Sequence, residues 1–339
     1  MLIAIAGVYA YYRLHRAAPP IAPIAANQEL PDLLSQLPPD APVVVYADVA
    51  ELGKSPFIQQ LEAWAPSTVE DPDYLQFVQQ TGFDYGRDLD HVAIASWPDT
   101  QRDVADVQAG RPLSGSSIAL ADGHFDKAKI SAYAMQHGKV THEGNQEIYE
   151  IAEQPPQTTV YLAFLAPTRM ALASGRDLSS VLAVEGRPTR PPEMQQRISR
   201  VAGAPLFVIG EVEDLARQLP LNFGNSQQLQ TLLGSIRGFA IAGQPKAANF
   251  NLAADLDCDT VSHAFQLATL LDSLRWLGRA ALADPRNRQQ MSHDQAQLLD
   301  TLLRTVSVAH YSNKIQLRLE ATPTMLREAL PPVRVRKAG

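Results

Sequence analysis

The sequence predicts an α+β protein of two related halves, with mainly antiparallel sheets and helices packed on one face, after an N-terminal hydrophobic helix. Three observations predict it. β-Branched runs alternate with amphipathic stretches that open on capping residues. The order strand, helix, strand, strand, helix, hairpin, helix occurs twice. The first twelve residues, MLIAIAGVYAYY, carry no charge.

The first twelve residues set the N-terminal expectation. At ~1.5 Å rise per residue they span about 18 Å, against a hydrocarbon core of ~30 Å. Three readings stay open: the apolar region of a secretory signal, the end of a signal anchor that starts upstream of Met1, or a helix buried in a soluble domain. The anchor leads, because Tyr9, Tyr11 and Tyr12 followed by Arg13 and Arg16 resemble the interfacial end of a spanning helix. Residues 1–16 are therefore expected to target or anchor the chain. Residues 17–28, rich in Pro and Ala, are expected to form a stiff linker, since proline favours extended backbone.

The first half is placed at 29–189. ELPDLLSQL (29–37) predicts a short helix, and APVVVYADV (41–49) a buried strand. Ser55-Pro56 and Asp71-Pro72 each start a helix with a capping side chain and proline in the first turn. Phe57, Leu61 and Trp64 fall on one face of the first helix, and Tyr74, Phe77 and Val78 on one face of the second. Gly82 ends the second. HVAIASW (91–97) and SIALADG (117–123) read as a strand pair. Asp126 caps the helix KAKISAYAMQHG, and strands follow at 139–143, 147–152, 158–165 and 169–174. Arg169 is expected in the Ala-Pro-Thr-Arg turn, and a helix from Arg176 to Gly186.

The second half is placed at 190–331, before a basic tail at 332–339. AGAPLFVIGEVEDLARQLP (202–220) matches DAPVVVYADVAELGKSP (40–56) at an offset of 163, which aligns Pro42 with Pro205 and Asp48 with Glu211. VAIA (92–95) matches FAIA (239–242), and IALADGHFD (118–126) resembles FNLAADLDCD (250–259). The hairpin HEGNQEIYEI (142–151) is aligned with HYSNKIQLRL (310–319), which pairs His142 with His310. On this alignment the second half lacks the 158–174 hairpin and has a helical region at 260–304. There Leu267, Leu270, Leu271, Leu274 and Leu277 form an apolar face.

Composition narrows function. Of the 339 residues 45% are hydrophobic and 19% charged, a globular balance. The net charge is −7 with no basic stripe, which argues against a nucleic-acid partner. Cys258 stands alone, so neither an internal disulfide nor a multi-cysteine zinc site can form; it is expected to be a small buried residue.

No catalytic, cofactor-binding or metal residue is assigned. His137 and His142 are five apart, a spacing that does not place two imidazoles on one helix face. Asp255, Asp257 and Asp259 form a D-x-D-x-D that continues to Thr260 and Gln266 where a calcium loop needs Gly and Glu. They read as a strand end, with Asp259 capping a helix. The run 114–117 (SGSS) has no base at a recognisable spacing, and no G-x-S-x-G elbow or phosphate-cradling glycine loop occurs. Glu143, Glu147 and Glu150 read as solvent-facing. Trp64, Trp97 and Trp276 read as core or interface anchors.

Two phrases carry a resemblance: PPDAPVVVYADVAELGKSP (38–56) and TGFDYGRDLDHVAIA (81–95). With the N-terminal segment and the Pro/Ala linker, the chain resembles uncharacterised bacterial membrane-anchored envelope proteins over most of residues 30–330. The resemblance implies fold and location and supplies no active-site residue. The expectation is a non-catalytic membrane-tethered binding or scaffold module of the cell envelope, either by itself or as a subunit of a larger membrane complex, with its body on the periplasmic side. Its expected partners are the membrane, through the N-terminal segment, and an envelope protein. The alternatives are a carrier of an apolar, lipid-like ligand and a hydrolase with a non-standard site.

Overall fold

In the computed structural model the described residues are 32–63, 72–98, 115–153, 158–182, 189–212, 227–284, 286 and 293–325. The N-terminal segment, Trp64, Asp71 and the stretch 213–220 lie outside them. Capping explains where several helices begin. Ser55 accepts from Phe57 N and starts α3, Asp126 accepts from Lys129 N and starts α6, and Thr260 accepts from His263 N and starts α10.

The first half begins α1 (Asp32–Gln36), β1 (Val43–Asp48), α2 (Val49–Gly53), α3 (Pro56–Glu62), α4 (Pro72–Thr81) and α5 (Tyr85–Asp88). It continues β2 (Leu89–Trp97), β3 (Ser116–Gly123), α6 (Lys127–His137), β4 (Gly138–Glu143), β5 (Gln146–Glu153), β6 (Thr158–Ala166), β7 (Arg169–Ser174) and α7 (Ser179–Leu182). The second half has α8 (Pro192–Val201), β8 (Leu206–Glu211), α9 (Gln227–Leu233), β9 (Ile236–Lys246), β10 (Asn249–Cys258), α10 (Val261–Ala283), α11 (His293–Thr305), β11 (Ser307–Tyr311) and β12 (Lys314–Ala321). The short helices α2 and α5 were not expected. Asp48 and Asp84 cap them, each accepting a backbone N–H two or three residues on.

The antiparallel α+β class holds, but the strands form one 12-stranded sheet, ordered β11-β12-β10-β9-β8-β1-β2-β3-β7-β6-β5-β4. Helices cover both faces rather than one. The period-2 alternation of strand side chains shows this. Ile148, Ala163, Ala171, Ala173, Phe207 and Ile209 belong to a core with α1, α7 and α8. Their sequence neighbours Tyr149, Leu162, Phe164 and Met170 pack instead with α4 and α6. On that second face Ile315 and Cys258 pack beneath α9 and α10, and Phe250 beneath Phe57 of α3.

The halves meet at the central pair β1–β8, whose ladder is centred on Val45↔Val208 with Val43↔Gly210 and Ala47↔Leu206 on either side. The offset of 163 maps this ladder onto itself, since 45 + 163 = 208. Next, Val43↔Ser96 corresponds to Leu206↔Gly243, an offset of 147 that also aligns VAIA with FAIA. Ala95↔Ile118 then corresponds to Ala242↔Ala253, which relates β3 to β10 and Asp122 to Asp257.

The expected match of the 142–151 and 310–319 hairpins does not follow the sheet. β12 lies against β10 as β7 lies against β3, so β11–β12 holds the place of β6–β7. The second half therefore has no described counterpart of the outer β4–β5 hairpin, and His142 and His310 do not correspond. His142 pairs with Glu147, while His310 packs its ring against Phe265. The correspondence is one of strand order and register; few side chains repeat.

Candidate functional site

Three features of the described residues are candidate sites. The first is a buried charge cluster on the face covered by α1 and α8. Arg197 and Arg200 are three apart on α8 and so share a helix face. Asp255 and Asp257 are two apart on β10 and so share a sheet face. Lys314 lies opposite Asp257 in the β10–β12 ladder. The Arg197 Nε donates to Asp257 Oδ2 at 2.8 Å, Arg200 donates to both oxygens at 2.8 and 3.0 Å, and Lys314 Nζ donates to Oδ1 at 2.6 Å. Burial opposes the charge on Asp257, but the bonds from Arg200 and Lys314 overcome it and hold the carboxyl well below its usual range. Asp255 is different. Burial pushes it up, Arg200 only partly counters this at 3.7 Å, and its Oδ1 accepts no hydrogen bond.

A smaller version of the cluster occupies the corresponding place in the first half. Arg169 begins β7 rather than lying in the turn before it. It grips Asp122 through Nε and NH2 at 2.7 and 2.8 Å and reaches Asp32 of α1 through NH1 at 2.6 Å. In both halves a charged side chain on the helix before the central strand is thus tied to an acid–base pair two strands away from that strand. Asp257 has its lone pairs saturated by three cations, so it is in no position to act as a base or a metal ligand. These residues dock α1 and α8 onto the sheet.

The other D-x-D-x-D member departs from expectation. Thr260, not Asp259, caps α10, and Asp259 instead meets the His263 Nδ1 at 2.7 Å. Sequence reading missed Arg169, Arg197 and Arg200. The spacing of the two arginines on a helix and of the two aspartates on a strand was visible. That the two pairs face each other was not.

The second feature is a cleft of about 290 Å³ at the β4–β5 turn, lined by Lys127, His142, Asn145, Gln146, Glu147, Tyr149 and Phe164. Tyr149 donates to Glu147 at 2.9 Å; Glu143 and Glu147 are exposed, as expected, and Glu150 is half-buried. The cleft lies at the lower limit of ligand-pocket size, and its polar rim is mostly exposed side chain. His137 lies apart from His142, stacked on Tyr133. Ser116 and Ser117 are the first two residues of β3, and Ser114 lies outside the described residues. Among the described residues no group of three metal-ligating side chains converges.

The third feature is the outward face of α10. Its first turns pack as expected, with Ala264, Leu267 and Ala268 buried. The predicted stripe then leaves the core. At 100° per residue the buried Leu267 and Leu282 and the half-buried Leu271 and Gly278 cluster on one side, and Trp276, Leu277 and Ala280 point away from it. Trp276 is 67% exposed, Leu277 55% and Leu274 47%. A surface helix normally turns polar residues outward; here Trp276 and Leu277 stand on that side between Ser273 and Arg279. The inner side is held by α11, where Gly278 lets Leu303 approach closely. Trp276 is therefore no core anchor, whereas Trp97 is, with the Arg176 guanidinium stacked 3.5 Å from its ring.

No protein-family model and no curated protein matches the chain. Solved structures give a distant likeness to TP0453. Crystal form I is 12% identical with a TM-score of 0.43, covering 84% of this chain and 91% of that one. Form III is 11% identical with a TM-score of 0.47, covering 90% and 100%. Form IV is 12% identical with a TM-score of 0.48, covering 90% and 98%. At that level no function is carried across. Among the described residues no helix is long and apolar enough to cross a membrane.

Proposed function

We propose that the chain is a non-catalytic, membrane-tethered binding or scaffold module of the cell envelope, with the body on the periplasmic side. The supporting observation is the outward face of α10, where Trp276 and Leu277 are presented to solvent by a helix packed from behind on the sheet and α11. Exposed apolar patches of this kind mark interaction surfaces. The tether rests on the uncharged segment 1–12 and the tyrosine–arginine boundary that follows it. The test is a photo-crosslinking amino acid placed at Leu277 in the full chain in its native cells, with Gln59 on exposed α3 as control. One discrete adduct at Leu277, identified as an envelope component, is expected. Equal, diffuse labelling at both positions refutes the reading. Separately, full-length chain that washes out of membranes at alkaline pH refutes the tether.

A carrier of an apolar ligand is the second reading. A row of directly paired side chains crosses the sheet on one face: Leu172, Ala119, Ile94, Val45, Val208, Ile241, Ala254 and Leu317. Ile241 is 37% exposed and the others are half-buried, so this row is packed less tightly than either core beside it. Lipid co-purifying at one equivalent and lost on Ile241→Asp substitution favours this reading. Protein free of lipid by mass spectrometry removes it.

A further inference from the structure

β4 forms one end of the sheet, and among the described residues no strand pairs with its outer side. Five of its six residues are exposed; only Val140 is half-buried. An open edge is a template for further pairing, and most are blunted by a proline, a bulge, a lysine or a very short strand. β4 reads GKVTHE and keeps unbroken register with β5 from Gly138↔Ile151 to Glu143↔Gln146, so it has neither proline nor bulge. The turn decides which backbone groups are free. Glu143 and Gln146 flank a two-residue turn whose Gly144 has φ +60°, which makes them the first hydrogen-bonded pair of the hairpin. Such pairs alternate along an antiparallel ladder. The backbone groups of Glu143, Thr141 and Lys139 therefore point to β5, and those of His142, Val140 and Gly138 point outward.

This edge is complementary to itself. Two copies of β4 running antiparallel about Thr141 set Val140 opposite the partner's His142, both with outward backbone groups. Thr141 then faces the partner's Thr141, and Lys139 faces the partner's Glu143. The charge pair occurs twice, and opposite charges directly across a ladder stabilise it. The lysine that would repel an unrelated strand is thus matched by a second copy of its own. Centring the pair on Val140 instead puts Lys139 against Thr141 and loses both charge pairs.

Helix α6 supplies a second contact at the same place. It lies over β4 and β5. Its Tyr133 packs edge-on against Phe77 of α4, and Phe77 packs on the cluster of Phe164 and Met170 from β6 and β7, so α4 holds the inner flank. Met135 lies about 160° round the helix from Tyr133, on the flank toward the edge. Ala128, Ala132 and Met135, spaced i, i+4, i+7, share that flank, and all three are exposed. Antiparallel pairing keeps the same face of both copies on one side of the sheet. At ~4.8 Å between strands, helices over β4 and β5 of the two copies stand about 10 Å apart, the distance of packed helices.

We propose that two copies of the chain join through β4, antiparallel about Thr141, into one continuous sheet, with the Ala128, Ala132 and Met135 flanks of the two α6 helices packed across the two-fold axis. The pairing stands apart from the proposed tether and from the α10 surface. Sedimentation equilibrium of the full chain in a density-matched non-ionic detergent tests it. One strand and one helix flank make a small interface, so a monomer–dimer equilibrium with Kd of about 10 µM is expected. Lys139→Glu should weaken it about tenfold or more, and adding Glu143→Lys should restore it to within about threefold. Val140→Pro removes an outward N–H that β5 does not use, and should give monomer with circular dichroism unchanged. In a Cys258→Ala background, Thr141→Cys should form an inter-chain disulfide, because facing residues of a non-hydrogen-bonded pair stand ~4.5 Å apart. Lys139→Cys in the same background should form none.

Chain that stays monomeric to about 0.2 mM, twentyfold above the expected Kd, overturns the proposal. So does a dimer that survives Val140→Pro and gives no disulfide at Thr141→Cys, which would place the contact on another surface, the N-terminal segment included. A dimer weakened as much by the charge-swapped double variant as by Lys139→Glu alone overturns the register.

Discussion

Replacing Asp257 with Asn tests the central electrostatic claim most directly. The substitution keeps the shape of the side chain and removes the charge that three cations share. Arg197, only 4% exposed, cannot turn to water, and its NH1 already lacks a hydrogen-bond partner, with Glu211 no closer than 3.5 Å. Removing one member of a buried ionic group costs about 3–5 kcal/mol, because the remaining charges stay buried without compensation. For a chain of this size each kcal/mol moves Tm by roughly 2–4 °C, so a fall of roughly 6–20 °C is expected. Urea unfolding followed by circular dichroism at pH 7 measures the loss of free energy, and a thermal melt followed in the same way measures the fall in Tm.

The pH dependence gives a second check on the same variant. The folded pKa of Asp257 lies below its unfolded value of about 3.9, so its contribution is complete above that value and is lost as pH falls through the folded pKa. The deficit of the variant should therefore shrink in strong acid. Asp122→Asn, at the corresponding but more exposed pair, should cost less. A loss below about 1 kcal/mol at pH 7, or an equal loss at Asp122, would mean that water enters the cluster and that the burial argument is wrong.

Three further outcomes follow from named side chains. Asp255 has the opposite sign to Asp257: its folded pKa is raised, so its charge costs stability at neutral pH and that cost disappears as pH falls toward its unfolded value. Asp255→Asn should thus raise the urea midpoint at pH 7, with the advantage over the parent narrowing by pH 4; a gain independent of pH contradicts this. Gly238→Ala places a methyl group onto the Arg197 guanidinium and should cost roughly 1–3 kcal/mol in urea unfolding; a neutral result would show that the arginine has room to move. Cys258, buried and with its thiol pKa pushed up by burial, should resist a disulfide-exchange reagent in the native protein and react fully in guanidinium; rapid native labelling would place it on the surface.

Local chemistry by itself determined the elements. The cap-and-proline pair at Ser55-Pro56, the cap at Asp126, the β-branched run at 43–45 and the positive-φ stop at Gly82 each act within a few residues. The antiparallel α+β class follows from their order. One strand pair near the centre was also legible, 91–97 with 117–123, whereas the pairing of β1 with β8 was not.

Only the tertiary structure decided the rest. Hairpin similarity aligned β11–β12 with the wrong hairpin, since a polar hairpin reads alike anywhere, while its place depends on which edge of the growing sheet is free. The Leu stripe of α10 reads as one apolar face, yet the sheet and α11 reach only part of it, so Leu274 and Leu277 end in solvent. The arginines of α8 and the aspartates of β10 lie about sixty residues apart in the chain. Each pair shows a face by its spacing, but the ion pairs exist because α8 lies across β10, and only the packed sheet brings that about.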